Sequence, residues 1–399
     1  MRSGRDARQS IGILADDLTS AGDGAAPFRR TGHEARVLLS APATALPQAP
    51  GVTAVDLGTR LLDEAAAATR AGRAARLFAG STLLFKTVDS TLRGHVAAEV
   101  RAAWAGSRRR AVVIAPAFPA EGRVTRQAVQ YVWGVPVHES GFARDPVHPV
   151  RCSDLTAVFP DAVPIGPGRA AELPVLIGRR ALIVCSAATD DDLDRVVAAV
   201  PHLDDVLWVG SPGLAAALAR RCAPGDGAVA AAPAPARRPL VVVGSANPST
   251  RRQLAVLRAQ ADVQGVTVGD DPAPTVKALR SLTSPVLTLQ TPDERRSPRT
   301  ARAFARSLAA VVRELAEERL VDALVVTGGE TATTVLQALG VDRMDLLDEP
   351  EPGVARGTPL VPPSLPVLIK AGGFGDDELL LRLCHLVRRS ADRTDAPRP

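Results

Sequence analysis

The chain has 399 residues, of which 46% are hydrophobic and only 3% aromatic, enough for two or three domains with Ala, Val and Leu carrying the core. The balance of 48 basic against 43 acidic residues leaves +5. Arg is spread along the chain and there is a single Tyr, so the clustered bases and stacking aromatics of a nucleic-acid binder are missing. The first apolar run, Ile11-Gly12-Ile13-Leu14-Ala15, is too short to span a bilayer and ends in two aspartates.

That run reads as a first strand, followed by a small-residue helix over 21–30 and a strand over 35–39. A third strand is expected over 52–57, with a helix over 61–74 behind it. Leu83-Leu84-Phe85 reads as a buried parallel strand, and it enters Lys86-Thr87-Val88-Asp89-Ser90-Thr91-Leu92-Arg93-Gly94. A helix over 96–104 follows, with Ser90 or Thr91 as its natural N-cap. Ala111-Val112-Val113-Ile114-Ala115 is a further strand. Residues 116–167 read as an irregular excursion with a hairpin near 131–137. Strands return over 181–185 and 206–209.

Residues 223–239 are rich in Pro and Ala and read as a linker. Beyond it, strands are expected at 240–243, 263–268, 286–289, 323–326 and 367–369. Helices are expected at 251–260, 274–281, 301–319, 331–339 and 376–388. The tail from 389 is polar and is expected to fray. Strands alternating with helices predict an α/β fold of two domains, each a mostly parallel sheet flanked by helices. The domains are placed at 1–222 and 240–399, with 223–239 between them.

The chemistry gathers where strands end. In an open α/β sheet the turns at the carboxyl ends of the strands hold ligands. Asp16 and Asp17 end the first strand, Thr59-Arg60 follow the third, and Lys86, Asp89, Ser90 and Arg93 follow the fourth. Paired acids suit a general base, hydroxyl recognition or a metal-bridged phosphate. The cations suit a substrate carboxylate. The competing readings are an Asp N-cap and a capped turn with a solvated ion pair between Asp89 and Lys86 or Arg93.

In the second domain three glycine-bearing turns follow predicted strands: Gly244-Ser245-Ala246-Asn247, Gly328-Gly329-Glu330-Thr331 and Gly372-Gly373-Phe374-Gly375. Glycine lets the backbone approach a phosphate, and a helix start points N–H groups at it. Glu351-Pro352-Gly353 is expected in a loop that closes over the nucleotide, and Lys370 is placed to pair with a phosphate or to lie solvated. Neither GxxxxGK[ST] nor a GxGxxG after a strand is present. The six histidines show no zinc spacing, and His95, His138 and His148 read as surface or loop residues. No metal ligands are assigned. The four cysteines form no CxxC pair, no adequate signal-peptide core follows the basic start, and a reduced cytoplasmic setting is expected.

Taken together, Ala15-Asp16-Asp17-Leu18-Thr19, residues 86–94, Ala115-Pro116-Ala117-Phe118-Pro119 with Gly122-Arg123, Gly328-Gly329-Glu330-Thr331 and residues 370–375 resemble the four-carbon acid sugar kinase family. The resemblance runs in order through nearly the whole chain. It implies ATP-dependent phosphorylation of the terminal hydroxyl of an acid such as threonate, erythronate or 3-oxo-tetronate. The sugar acid would lie on the N-terminal domain, ATP with Mg2+ on the C-terminal one, and the active site in the cleft between them. Asp16 and Asp17 would be catalytic, and Arg60, Lys86, Asp89, Ser90 and Arg93 would bind substrate. Ser245, Gly328, Gly329, Glu330, Thr331, Gly353, Gly372 and Gly373 would bind the nucleotide. The chain departs from the family pattern at Ser20, Thr59 and Ala371-Gly372-Gly373. The expected partner is a small-molecule acid, with neither nucleic acid nor membrane, and a homo-oligomer is compatible. Two other classes stand beside this one: a non-catalytic sensor of a sugar acid or nucleotide, and a nicotinamide-dependent oxidoreductase.

Overall fold

The computed structural model describes residues 9–43, 49–145, 148–227, 233–293, 298–362 and 364–389. The chain forms two compact units that divide near residue 228.

The first unit begins β1 (Ser10–Ala15), α1 (Leu18–Arg30), β2 (Ala35–Leu38), β3 (Gly51–Asp56), α2 (Glu64–Leu77), β4 (Leu83–Thr87), α3 (Val96–Ser107) and β5 (Ala111–Ala115). An excursion then carries β6 (Arg123–Arg126), β7 (Val129–Val132) and β8 (Val135–Pro136). The chain returns through α4 (Leu155–Val158), β9 (Val163–Ile165), α5 (Leu173–Gly178), β10 (Leu182–Cys185), α6 (Asp190–Ala198), β11 (Val206–Gly210) and α7 (Pro212–Arg221). Its main sheet runs in the order β2, β3, β1, β4, β11, β5, β10, β9, with every pairing parallel.

Buried on both faces, these strands are near-continuous apolar runs, as parallel sheets require. Leu14, Val55, Leu84, Val112, Ile114, Val184, Leu207 and Val209 share one core with Ala71, Ala74 and Ala75 of α2 and Val100 and Ala103 of α3. The chain leaves β1 toward β2, and later crosses back over β1 to reach β4. The turns after β1, β3 and β4 therefore meet at a topological switch point, where the diverging connections leave a crevice.

The second unit contains β12 (Pro239–Val243), α8 (Pro248–Arg258), β13 (Val263–Thr267), α9 (Pro272–Ser281), β14 (Val286–Gln290) and α10 (Pro298–Glu317). It continues with β15 (Ala323–Thr327), α11 (Gly329–Ala338), β16 (Arg343–Glu351), β17 (Val354–Pro359), β18 (Val367–Lys370) and α12 (Leu379–Arg388). The order β13, β14, β12, β15, β18 is parallel, and β17 and β16 continue it antiparallel.

Three local readings are corrected. The hairpin expected near 131–137 is present as β7 and β8, but the stretch before it is not irregular: β6 extends the hairpin to a three-stranded antiparallel sheet, with tight turns at Gln127-Ala128 and Trp133-Gly134 that take positive φ. Residues 343–359 form a hairpin, so Pro352-Gly353 is a tight turn rather than a free loop. The connector is tied at both ends. Gly225 and Gly227 donate N–H bonds to the Thr31 and Gly32 carbonyls, and Arg237 and Arg238 donate theirs to the Asp322 carboxylate. Its middle, 228–232, and the tail 390–399 lie outside the described residues.

Candidate active site

In the N-terminal unit the switch-point turns converge on one guanidinium. Arg60 grips Asp16 bidentately, Nε to Oδ2 at 2.9 Å and Nη2 to Oδ1 at 3.0 Å. Its Nη1 lies 2.5 Å from Asp17 Oδ2 and its Nη2 3.8 Å from Asp89 Oδ2. Three turns from three strands are thus fastened by one planar fork. Asp17 is also the N-cap of α1, its Oδ1 accepting from Ser20 N and Thr19 Oγ1 at 2.8 Å each. At this residue the N-cap reading of the acid pair holds.

The stretch after β4 does not cap α3. His95 is the N-cap and makes no side-chain cap bond. Asp89 instead closes a local turn, its Oδ1 accepting from Thr91 N at 2.7 Å, and its Oδ2 takes Arg93 Nη2 at 2.5 Å. The Asp89 side of that pair is buried, at 9% exposed, while Arg93 stays partly open. Lys86 is brought close but faces inward. Its Nζ lies 3.1 Å from Glu99 Oε2 and donates to the Thr87 carbonyl at 2.8 Å. Its register opposite Leu14 and Val209, in the middle of the sheet, explains the burial.

Sequence reasoning left Arg123 out of the site. It is the first residue of β6, and its Nη1 donates to Ser90 Oγ at 2.6 Å. Gln130 of β7 donates to the Ser90 carbonyl at 2.8 Å, so the excursion sheet clamps this turn. His148 and His95 were also passed over. They bond the Arg60 and Leu62 carbonyls, and their rings meet edge to face at 5.1 Å.

The electrostatics keep the acids charged. Burial opposes ionisation of Asp16, but Arg60 and then Lys86 hold its carboxyl below the ordinary value. Burial likewise opposes ionisation of Asp89, and Arg93, Arg60 and the Thr91 hydroxyl pull its carboxyl far down. The guanidinium of Arg60 is driven the other way: desolvation is outweighed by Asp16, Asp17 and Asp89. Arg123 is lowered by burial, with Asp89 opposing. Side chains of Arg60, Arg93 and Asp17 remain 21%, 29% and 16% exposed, so a ligand can reach them.

The C-terminal unit gathers its turns differently. β12, β15 and β18 are adjacent and parallel, so Ser245, Gly328 and Gly372 lie along one sheet edge. A Cβ on Gly244 would sit 2.0 Å from Thr331 Oγ1, and one on Gly372 2.9 Å from Ser245 Oγ. Gly328 is the N-cap of α11, with φ near +89° and no side-chain cap. The first N–H groups of that helix are therefore left for a ligand to satisfy. Thr331 is buried in its first turn and Glu330 is exposed there. Gly373 is exposed near Asn247, whereas Gly353 is buried, with φ +73° and the Phe374 ring where a Cβ would stand. Lys370 is fully buried rather than solvated: its Nζ donates to Thr250 Oγ1, Ala371 O and Gly372 O.

Glycines that cannot take a Cβ, beside an uncapped helix start, fit the phosphates of a nucleotide. Among the described residues, no group of three or more His, Cys, Asp and Glu is arranged to hold a metal ion, and no helix is long and apolar enough to cross a membrane.

Comparison with known proteins gives the same division. Residues 11–218 match the family model described as a sugar-binding N-terminal domain, and residues 240–380 the one described as a nucleotide-binding C-terminal domain. The D-threonate kinase of Bordetella bronchiseptica is 36% identical, over 95% of this chain and 97% of its own length. The D-threonate kinase of Cupriavidus necator is 35% identical, over 92% and 95%. The 3-oxo-tetronate kinase of Methylobacterium radiotolerans is 30% identical, over 95% and 99%. A Salmonella typhimurium protein described as a putative tRNA synthase has a crystal structure that matches with a TM-score of 0.77, covering 94% of this chain and 98% of that one. At 22% identity that likeness concerns the fold alone. With both domain models matched and relatives aligned over nearly their full length, this chain belongs to the four-carbon acid sugar kinase family.

Proposed function

We propose that the protein transfers the γ-phosphoryl group of ATP to the terminal hydroxyl of a four-carbon sugar acid, with D-threonate the leading substrate. The observation that carries this reading is the cluster in which Arg60 joins Asp16, Asp17 and Asp89 at one switch point. A polyhydroxy acid meets both its needs there, carboxylates for its hydroxyls and guanidiniums for its carboxylate. D-Threonate leads because three relatives at 30–36% identity carry that name.

The two aspartates divide the work. Both oxygens of Asp16 are committed to Arg60, so Asp16 fixes the fork. Asp17 is engaged as well, capping α1 through Oδ1 and meeting Arg60 through Oδ2, but it is the more exposed, at 16% against 5%, and on that ground we assign it the proton of the attacking hydroxyl. Phosphoryl transfer passes through a loose transition state, so orientation matters more than base strength. Arg93 and Arg123 hold the substrate carboxylate, Asp89 and Ser90 orient them, and Lys86, paired with Glu99, helps keep Asp16 ionised from behind. On the nucleotide side, Ser245, Gly328, Gly329, Thr331, Gly372 and Gly373 present backbone and hydroxyl donors to the phosphates, and Gly353 supports the last turn through Phe374. Mg2+, when bound, would neutralise charge on the phosphates, and we assign Glu330, in the first turn of α11, to help hold it. The four free cysteines suit a reducing compartment such as the cytoplasm.

The test is turnover. Purified protein is incubated with ATP, Mg2+ and, separately, D-threonate, L-threonate, D-erythronate and 3-oxo-tetronate, and ADP is followed by a coupled assay. D-Threonate is expected to release ADP fastest, with phosphate on the terminal carbon by NMR. ADP release no faster than the acid-free control with every acid overturns the reading.

A further inference from the structure

The loop after β18 has an unusual internal order. Gln253 Nε2 donates to the carbonyls of Phe374, Gly375 and Asp376 at 3.0, 3.1 and 2.8 Å. Lys370 Nζ donates to those of Ala371 and Gly372 at 3.0 and 3.3 Å, and Thr250 Oγ1 donates to Gly372 O at 2.6 Å. Five of the six carbonyls from 371 to 376 thus point at three side chains, Gln253, Lys370 and Thr250. In a trans peptide the N–H lies opposite the C=O of the same plane. With the carbonyls of 371, 372, 374 and 375 drawn inward, the N–H groups of Gly372, Gly373, Gly375 and Asp376 face the other way. The Phe374 N–H between them turns back to the Ala371 carbonyl, so the outward amides form two consecutive pairs, and consecutive outward amides make an anion-binding concavity.

Lys370 is also a buried charge with no opposite charge on it: among the described residues, no carboxylate forms an ion pair with it. A buried ammonium is costly unless paired. Around it β15 presents Thr327, β17 presents Val354, and α8 presents Thr250 and Gln253, none of which titrates. Charged groups on the packed elements are engaged with other partners. Arg251 lies with Asp293, Arg252 with Asp377, Arg356 with Asp348 and Glu351 with Arg382. Glu349 accepts from Gly353 N, and Glu330 stands exposed on α11.

We infer that Lys370, with Gln253 and Thr250, is a positioning device for the nucleotide phosphates. It gathers the carbonyls of residues 371–376 inward, turns the amides outward into a phosphate nest, and receives from the bound phosphates the counter-charge it otherwise lacks. Lys370 never touches the phosphate, because its protons go to Thr250, Ala371 and Gly372. The inference rests on the proposed nucleotide site and names the residues that shape it.

Burial pushes the Lys370 ammonium down to about 8, so near that pH the empty protein holds the lysine part neutral. A bound anion draws the proton back. MgADP is the probe, since a phosphate's own second ionisation lies near about 6 and is complete at pH 8. Titration calorimetry of the wild-type protein at pH 8, in two buffers of different ionisation enthalpy, is expected to show uptake of about half a proton per ADP. Affinity is expected to fall from pH 7 to pH 9, by at most about tenfold per unit above pH 8. Lys370→Met is expected to lose at least about tenfold in ADP affinity and to lose the proton uptake, with KM for the sugar acid unchanged. Gln253→Leu is expected to lose affinity but keep the uptake. The wild-type titration and Gln253→Leu decide the matter even if Lys370→Met does not fold. ADP binding without proton uptake, flat from pH 7 to pH 9, overturns the inference and leaves the kinase reading standing. A wild-type protein that binds no ADP at pH 7 overturns both.

Discussion

The two halves of the molecule share a topology and use it in opposite ways. In each, the first four strands stand in the spatial order second, third, first, fourth: β2, β3, β1, β4 in one and β13, β14, β12, β15 in the other. In each, the turns after the first and fourth strands flank a switch point. The N-terminal half fills those turns with side chains, Asp16, Asp17 and Asp89, held by Arg60. The C-terminal half empties them, with Gly244, Gly328 and the loop from Gly372. The architecture fixes where a ligand goes, and the turn residues decide whether it meets charges or amides. A sugar acid differs from its isomers in where its hydroxyls stand, which side chains can read. A phosphate chain is the same in every nucleotide triphosphate, and backbone donors suffice for it.

The contrast breaks most sharply at Asp17. Asp17→Asn keeps the cap of α1, since the amide oxygen still accepts from Ser20, but loses the charge. Its kcat is expected to fall by about 10²–10⁴-fold, the range for a positioned acid or base, while ADP affinity by calorimetry stays put. A loss of ADP binding equal to the loss of kcat would remove the division of labour between the halves. Next comes a methyl group on the other side. Gly244→Ala puts a Cβ 2.0 Å from Thr331 Oγ1, a clash whose relief costs about 1–3 kcal/mol. KM for ATP is expected to rise with KM for the acid unchanged, and Thr331→Ala in the same protein is expected to restore part of the affinity.

The smallest effect is on stability. Lys370 titrates near 8 when folded, below the ordinary lysine value of 10.5. Between these values the unfolded chain binds more protons than the folded one, so stability rises with pH across that window. The wild-type denaturation midpoint, measured without nucleotide from pH 7.5 to 10.5, should climb relative to that of Lys370→Met. A constant difference would mean that the ammonium is not held at this cost. The direction is opposite to that expected for ADP affinity, which falls over the same range.

Much of the plan was legible because its signals are local. An apolar run ending in Asp16-Asp17, or in a glycine turn, announces a strand end and its ligand edge within a few residues. The turn that binds Arg60 was legible for the same reason. What escaped depends on distance or on weak local preference. Lys86 finds Glu99 only because a central strand carries it inside. Arg123 reaches Ser90 from a sheet that begins in a Pro- and Gly-rich stretch, and one of its turns is made by Gln127-Ala128, residues that give no turn signal. The hairpin of β16 and β17 runs through Asp345, Asp348, Glu349, Pro350 and Glu351, a composition that argues against strands. Its one clue is Pro352-Gly353. The start of α3 slipped to His95 because the two expected caps are used elsewhere, the Thr91 hydroxyl on Asp89 and the Ser90 hydroxyl on Arg123.

One consequence follows from how thoroughly Arg60 is occupied. With Asp16 and Asp17 both against it and Asp89 nearby, the crevice is no electrostatic trap. Chloride, sulfate or free phosphate would have to compete with carboxylates already in place, and would leave those carboxylates without a donor. A molecule bearing several hydroxyls beside its acid group can take over both sides of each broken pair at once. Rejection of simple ions and acceptance of a polyol acid would then come from the same local neutrality, and occupancy would depend little on ionic strength.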